Sequence, residues 1–114
     1  MTKREKLLAE VAAARPFKNS SSQDAVTVEV TFSVKNSDIA LLKIGGRAVR
    51  RDEEGKASLK LPSGAHLMEW RAYGSPKQEY VISIEAPERV KWKPHPPLSS
   101  DSTGFVANQK TFTL

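Results

Sequence analysis

The sequence contains no cysteine, and this absence excludes several classes of protein at once. Without thiols there is no disulfide framework, no cysteine nucleophile and no zinc site built on cysteine. Histidine is scarce as well, because His66 and His95 are the only two in the chain. No apolar run approaches the roughly 20 residues that a helix needs to cross a bilayer, so we expect no transmembrane segment.

The remaining polar residues form no recognisable catalytic or metal-binding pattern. His66 and His95 lack the close spacing of paired metal ligands, and the acidic turn at 52–55 lacks the alternating oxygen ligands of a calcium loop. We expect His66 to pack or hydrogen-bond against the turn before it, and His95 to be exposed between two prolines. The sequence therefore predicts no enzyme activity, no cofactor and no metal site.

Positive charge is in excess, with 18 Lys and Arg against 13 Asp and Glu, a net charge of +5 and a pI of about 9.6. Such a balance favours adsorption to nucleic acid, anionic lipid or acidic polysaccharide. The densest cluster, Arg47, Arg50 and Arg51, is followed at once by three acidic residues that cancel much of its field. We therefore predict ion pairs on a solvated hairpin and do not expect nucleic acid as a partner.

Residues 1–17 are predicted to form an amphipathic helix, followed by a polar linker at 18–25. Thr2 and Glu5 have the spacing of a capping box, and Leu7, Leu8 and Val11 lie on one face of the helix. The apolar stretch here is too short for a signal peptide. We expect a cytoplasmic location if the chain is full length, and the cell envelope if it is an excised module.

Residues 26–93 have the pattern of a mainly β domain. The segment VTVEVTFSV at 26–34 alternates apolar and polar residues, which indicates a half-buried strand. Trp70 and Tyr80 fall on the inward faces of two later segments, and Gly45-Gly46 suits a tight hairpin. Further strands are predicted at 39–44, 47–51, 56–61, 66–73, 80–85 and 90–93. Short strands separated by Gly or Pro turns predict a small antiparallel, immunoglobulin-like β-sandwich.

Residues 94–114 are predicted to form a Pro-rich extension of this domain. Three prolines fall within 94–97, and prolines remove the N–H donors that a central strand requires. At 105–114, Phe112 and Leu114 alternate with Thr111 and Thr113, which is typical of a strand. We expect an edge strand there, paired either with its own sheet or with that of a neighbouring molecule.

Part of this domain resembles a known family. It is similar to small bacterial immunoglobulin-like modules of the PEGA type in its turn motifs. These motifs are KIGG at 43–46, LPSGAH at 61–66, Trp70 and YG at 73–74. The resemblance covers about residues 39–85, although the PEGA tetrapeptide itself is absent. It implies a β-sandwich, often part of a cell-envelope or surface assembly, with no enzymatic activity.

The predicted function is a non-enzymatic protein-interaction or structural assembly module. It would bind a protein partner, or a second copy of itself, by helix docking or by strand addition at a sheet edge. The predicted partner-binding residues are Leu7, Leu8 and Val11 on the helix and Phe112 on the terminal strand.

The alternative function is carbohydrate binding. Two aromatic side chains, Trp92 and Tyr73, could stack on the sugars of a polysaccharide. Lys91 and Lys93, which flank Trp92, would bind the acidic groups of the polysaccharide.

Overall fold

A computed structural model describes residues 2–114, which form one helix and eight strands. The strands make two antiparallel four-stranded sheets, the first in the order β4-β1-β6-β7 and the second in the order β3-β2-β5-β8. The mainly β fold with a short N-terminal helix is thus as predicted. The elements are α1 (Lys3–Ala13), β1 (Val26–Val34), β2 (Ile39–Ile44), β3 (Arg47–Ala48), β4 (Lys56–Leu61), β5 (Ala65–Tyr73), β6 (Glu79–Ala86), a 3-10 turn (Glu88–Val90), β7 (Leu98–Ser99) and β8 (Phe105–Thr113).

The inner faces of the two sheets share one hydrophobic core. Alternation along each strand sends every second side chain inward, as the sequence pattern predicts. Gly45 and Gly46 adopt φ values of +61° and +78°, which allow the two-residue hairpin between β2 and β3. The core residues are Val28, Val30 and Phe32 from β1, Leu59 and Leu61 from β4, Tyr80, Ile82 and Ile84 from β6, Leu42 and Ile44 from β2, Met68, Trp70 and Ala72 from β5, Val106 and Phe112 from β8, and Val49, which directly follows β3.

Aromatic side chains connect the sheets at the centre of this core. The buried indole N–H of Trp70 donates a hydrogen bond to the Tyr80 hydroxyl at 3.2 Å. The Tyr80 ring packs edge-on against Phe32, with ring centroids 6.0 Å apart. The pKa of Tyr80 is raised above its ordinary value because burial disfavours the charged form, and the hydrogen bond from Trp70 offsets only part of this effect. Trp70 and Tyr80 are therefore core residues, as predicted.

Helix α1 packs on the outer face of the second sheet, against β2 and β5. Thr2 caps it, since its hydroxyl accepts the Glu5 N–H at 3.1 Å. Leu7 is 1% exposed and Leu41, which points outward from β2, is 6% exposed. Both lie outside the main core, so they form a second, smaller apolar contact between helix and sheet. The Arg71 Nε lies 3.8 Å from a carboxylate oxygen of Glu10 and adds an ion pair to this contact.

The strand predicted at 90–93 is not present. The chain instead makes a 3-10 turn over Glu88–Val90, and then only Trp92 pairs with β6, exchanging backbone hydrogen bonds with Ile84 at 2.8 and 2.9 Å. In an antiparallel ladder the next bonded residue would be Pro94. Proline has no N–H to donate, so the ladder stops after one residue.

We expect Tyr80→Phe to lower the free energy of unfolding by about 1–3 kcal/mol, because it leaves the buried Trp70 N–H without its acceptor. Tyr73→Phe is the matched control. Tyr73 is half-buried on the outer face of the second sheet, and its change should stay within about 0.5 kcal/mol. Urea unfolding followed by indole fluorescence measures both. Equal effects of the two variants would contradict the role given to this hydrogen bond.

Candidate functional site

The candidate site is the outer edge of β8. This nine-residue strand is the last strand of the second sheet and pairs on one side only, with β5. Its register runs from Phe105↔Tyr73 to Thr113↔Ala65 without a bulge. The other side of β8 presents its backbone groups to solvent, since the described residues 2–114 place no strand there.

The direction of each backbone group follows from the ladder between β5 and β8. Gly64 and Leu114 exchange both backbone hydrogen bonds, at 3.0 and 2.9 Å, and the Gly74 N–H donates to the Gly104 carbonyl at 2.9 Å. Hydrogen-bonded pairs alternate along an antiparallel ladder, so the even-numbered residues of β8 bond to β5. The odd-numbered residues direct their N–H and C=O groups away from the sheet.

Four of these odd-numbered residues make up what we call the open edge: Ala107, Gln109, Thr111 and Thr113. Phe105 is excluded because its backbone bonds to Asp101. The Gln109 N–H donates to the side-chain oxygen of Asn108 at 2.8 Å. Within the described residues, the other backbone groups of the open edge have no backbone partner.

The side chains of β8 do not obstruct this edge. Strands exposed at a sheet edge are commonly blocked by charge, proline or a bulge. The segment FVANQKTFT contains no proline and one charged residue, Lys110. The Lys110 ammonium lies 4.8 Å from the centroid of the Trp92 ring, so it is drawn across the core side and not along the edge.

The outer edges of β3 and β4 are covered by the segment between α1 and β1. Ala48 in β3 donates to the Arg15 carbonyl and accepts from the Phe17 N–H, both at 2.8 Å. In β4, the Lys60 carbonyl accepts from Ser20 at 2.8 Å and the Lys60 N–H donates to the Asn19 side chain at 2.9 Å. Residues 15–17, which the sequence places in the helix, therefore cover β3, and the start of the predicted linker covers β4 at Lys60.

The remaining edge, beside β6, is short and rich in proline. β7 contains only Leu98 and Ser99, and the chain before it carries prolines at 94, 96 and 97. Pairing with β6 is limited to these two residues and to the single bridge at Trp92. Of the four edges of the two sheets, β8 is thus the one that is long, regular and uncovered within residues 2–114.

A turn at residues 101–105 fixes the start of β8. The Asp101 carboxylate accepts hydrogen bonds from the Thr103 N–H at 2.8 Å, the Thr103 hydroxyl at 2.6 Å and the Phe105 N–H at 3.0 Å. These bonds, led by the one from the Thr103 hydroxyl, lower the pKa of Asp101 from 3.8 to about 2. Gly104 has a φ of +86°, and a Cβ there would lie 1.9 Å from the Gly74 carbonyl oxygen, so the turn requires glycine.

The structure separates the predicted partner-binding residues into two groups. Leu7 is buried under the helix, and Phe112 is 5% exposed and belongs to the core, so neither side chain is available at the surface. Leu8 and Val11 are 42% and 40% exposed. They are adjacent on the solvent side of α1, but they form only a small apolar patch.

The residues of the predicted carbohydrate site are not brought together. Trp92 is half-buried, and its ring centroid lies 6.0 Å from that of Trp70. The Lys110 ammonium lies over the Trp92 ring. Lys91 and Lys93 are exposed. Tyr73 lies on the outer face of the second sheet, because its neighbour Ala72 faces the core. Trp92 faces the interior from the first sheet, so the two rings do not form one platform.

The histidines have the placements expected from the sequence. A ring nitrogen of His66 lies 2.7 Å from the Pro62 carbonyl oxygen in the preceding turn, and its ring packs on Phe112. His95 is exposed. No three His, Asp or Glu side chains within residues 2–114 converge as metal ligands. In the same part of the chain, no helix is long and apolar enough to cross a membrane.

The residues of the open edge were not singled out from the sequence. The sequence predicts the strand at 105–114 and Phe112 as its partner-binding residue, but the Phe112 side chain is buried in the core. The free hydrogen-bonding groups belong to its smaller neighbours, such as Thr111. Side-chain alternation gives the two faces of a strand, whereas the direction of the backbone groups depends on which strand is its partner.

Comparison with protein-family models, with curated proteins and with solved structures finds no match for this chain.

Asp101→Asn should lower the melting temperature at about pH 7, and this difference should shrink as the pH falls toward about 2 and vanish below it. The pKa of Asp101 lies below its ordinary value of 3.8 in the folded state. The charged carboxylate therefore stabilises the folded state fully above about pH 3.8. This contribution to stability disappears as the pH falls through about 2. Thermal melts followed by circular dichroism across this range measure the difference.

Glu53→Gln is the control for this measurement, since Glu53 is an exposed residue of a different turn. A melting-temperature difference for Asp101→Asn that stays constant down to about pH 2 would show that geometry, and not charge, accounts for the effect.

Proposed function

We propose that this chain is a non-enzymatic protein-interaction module that binds an extended segment of a protein partner along the open edge. The bound segment would add a fifth strand to the second sheet, beside β8. Two antiparallel sheets around one core support the proposal of an immunoglobulin-like β-sandwich as the scaffold. The resemblance to PEGA-type modules, which implies a role in surface assemblies, stays a prediction.

The difference among the four sheet edges is the observation that carries this proposal. Free backbone groups at an edge are a template for pairing with another chain, and proteins usually block them. Here β3 and β4 are covered by the segment at 15–20, and β7 is short and preceded by prolines. The nine residues of β8 have none of these protections. One long edge is uncovered, whereas the other three are covered or short. This difference supports a binding role for β8.

Recognition at this edge would depend mainly on the backbone. The side chains of Ala107, Gln109, Thr111 and Thr113 are exposed, small or polar, and uncharged. In strand addition the main-chain hydrogen bonds supply affinity, while pockets for alternate side chains supply specificity. Side chains of a strand point above and below the sheet, so none of these four lies in the plane where a second strand would pair at about 4.8 Å. They favour an extended partner segment over a helix.

The helix is a weaker candidate for the interaction site. Its apolar face is partly used inside the domain, because Leu7 packs on the second sheet. Leu8 and Val11 alone offer much less than the few hundred Å² of contiguous apolar surface that marks a binding patch.

Thr111→Pro should abolish binding at the open edge without unfolding the domain. The Thr111 N–H points away from β5, so proline there removes no bond of the existing ladder, and proline is tolerated on edge strands in this orientation. Displayed random ten-residue peptides selected on the native protein serve as probes. Their affinities, measured by fluorescence anisotropy, should fall by at least about tenfold in the variant.

Two further variants make the result interpretable. Thr111→Ala keeps the N–H and should bind the peptides like the native protein. Lys110→Pro removes an N–H that points toward β5, so it should destabilise the fold. Peptides that bind Thr111→Pro as tightly as the native chain would contradict the proposal. A selection on the monomeric chain that yields no edge-dependent peptide would contradict it as well.

A further inference from the structure

We infer that the partner at the open edge is a second copy of this chain. This inference rests on the proposed function and names its partner. The two β8 strands would pair antiparallel about a two-fold axis that passes through Gln109, and the two second sheets would join into one continuous sheet of eight strands.

This axis overlaps β8 along its whole length, because Gln109 is the middle residue of the strand Phe105–Thr113. An axis at Lys110 would pair all four open-edge residues, but it brings the two lysines together. With the axis at Gln109, this residue lies opposite Gln109 of the second copy, and Ala107 lies opposite its Thr111. Both positions in each pair belong to the open edge. Three such pairs allow about six backbone hydrogen bonds between the copies, two of which form when the Gln109 N–H exchanges the Asn108 side chain for the second copy.

The side chains on the core side of β8 also match in this register. Val106 and Phe112 are apolar and buried, whereas Asn108 is exposed and Lys110 half-buried. With the axis at Gln109, Val106 lies opposite Phe112 of the second copy and Asn108 opposite its Lys110. Apolar positions therefore align with apolar ones and polar positions with polar ones. Val106 and Phe112 are already buried in their own core, so this match makes the register compatible without adding a new apolar contact.

Neighbouring registers are less favourable. An axis at Lys110 places the two Lys110 residues directly opposite each other, where the Cα atoms of a non-hydrogen-bonded pair are only about 4.5 Å apart. Like charges in that position are destabilising. An axis at Thr111 places Lys110 opposite the apolar Phe112 and shortens the overlap of the strands. The only charged residue of β8 thus selects between registers that backbone hydrogen bonding alone would permit.

Net charge acts against this association. Each copy carries +5, so two copies repel each other at long range. Added salt screens that repulsion, because the Debye length falls from about 30 Å at 0.01 M to about 10 Å at 0.1 M. We therefore expect the dimer to become more stable as salt is raised within this range. Binding of a strongly acidic partner would show the opposite dependence.

The absence of native cysteine allows a sharp test with single-cysteine variants of the full chain. In Gln109→Cys the two thiols face each other across the axis, with Cα atoms about 5.5 Å apart, which lies within the range that a disulfide spans. In Thr111→Cys, the matched control, the two Cα atoms are about 14 Å apart and no disulfide can form. Under mild oxidation, we expect Gln109→Cys to form covalent dimers at least about tenfold faster.

Light-scattering mass of the native chain over a range of concentrations completes the test. We expect a dimer that is lost in Thr111→Pro and kept in Thr111→Ala. Equal cross-linking of the two cysteine variants would overturn the register. A native chain that stays monomeric while edge-dependent peptides still bind would overturn self-pairing and leave the proposed function standing. If no such peptides bind either, both fail.

Discussion

Satisfying the backbone hydrogen bonds at the edges of the sheets is the constraint on which this structure depends. Two sheets have four edges, and each edge presents N–H and C=O groups that either water or another segment must satisfy. Segments with little or no regular structure satisfy much of this requirement. Residues 15–20 bond to β3 and to Lys60 of β4, and the chain from Trp92 to Ser99, which contains only the two-residue β7, lies along β6. The irregular parts of the chain are therefore as necessary to the fold as the strands.

The core between the sheets and the helix contact outside them have different roles. The main core includes the Trp70–Tyr80 hydrogen bond and joins the sheets. Helix α1 instead covers the outer face of β2 and β5, where Leu7 and Leu41 are both buried. An isolated helix of 11 residues is marginal in water, so this contact is what keeps α1 folded. Docking of the helix in turn brings the chain to β3 and β4, which it then covers.

Much of this fold could be predicted from the sequence, because burial leaves a periodic pattern. The alternation in β1 and the inward positions of Trp70 and Tyr80 were predicted for that reason and are confirmed. Long-range pairing leaves no such local pattern. The segment at 90–93 has strand-like residues, but Pro94 falls where its ladder needs a donor. The open edge was missed for a related reason, since the direction of the Thr111 N–H depends on pairing with β5.

The composition of β8 is best understood by comparison with β4, another edge strand. β4 carries Lys56 and Lys60 and is covered by a neighbouring segment, whereas β8 carries a single lysine that folds over Trp92. Charged side chains at a sheet edge prevent pairing with other chains. The edge of β8 lacks such side chains, so it is open to unwanted association. The Asp101 turn and Gly104 hold the strand in a fixed register against β5. A rigid strand without protecting charge is what a specific strand-to-strand contact requires, because the backbone geometry is set before the partner arrives.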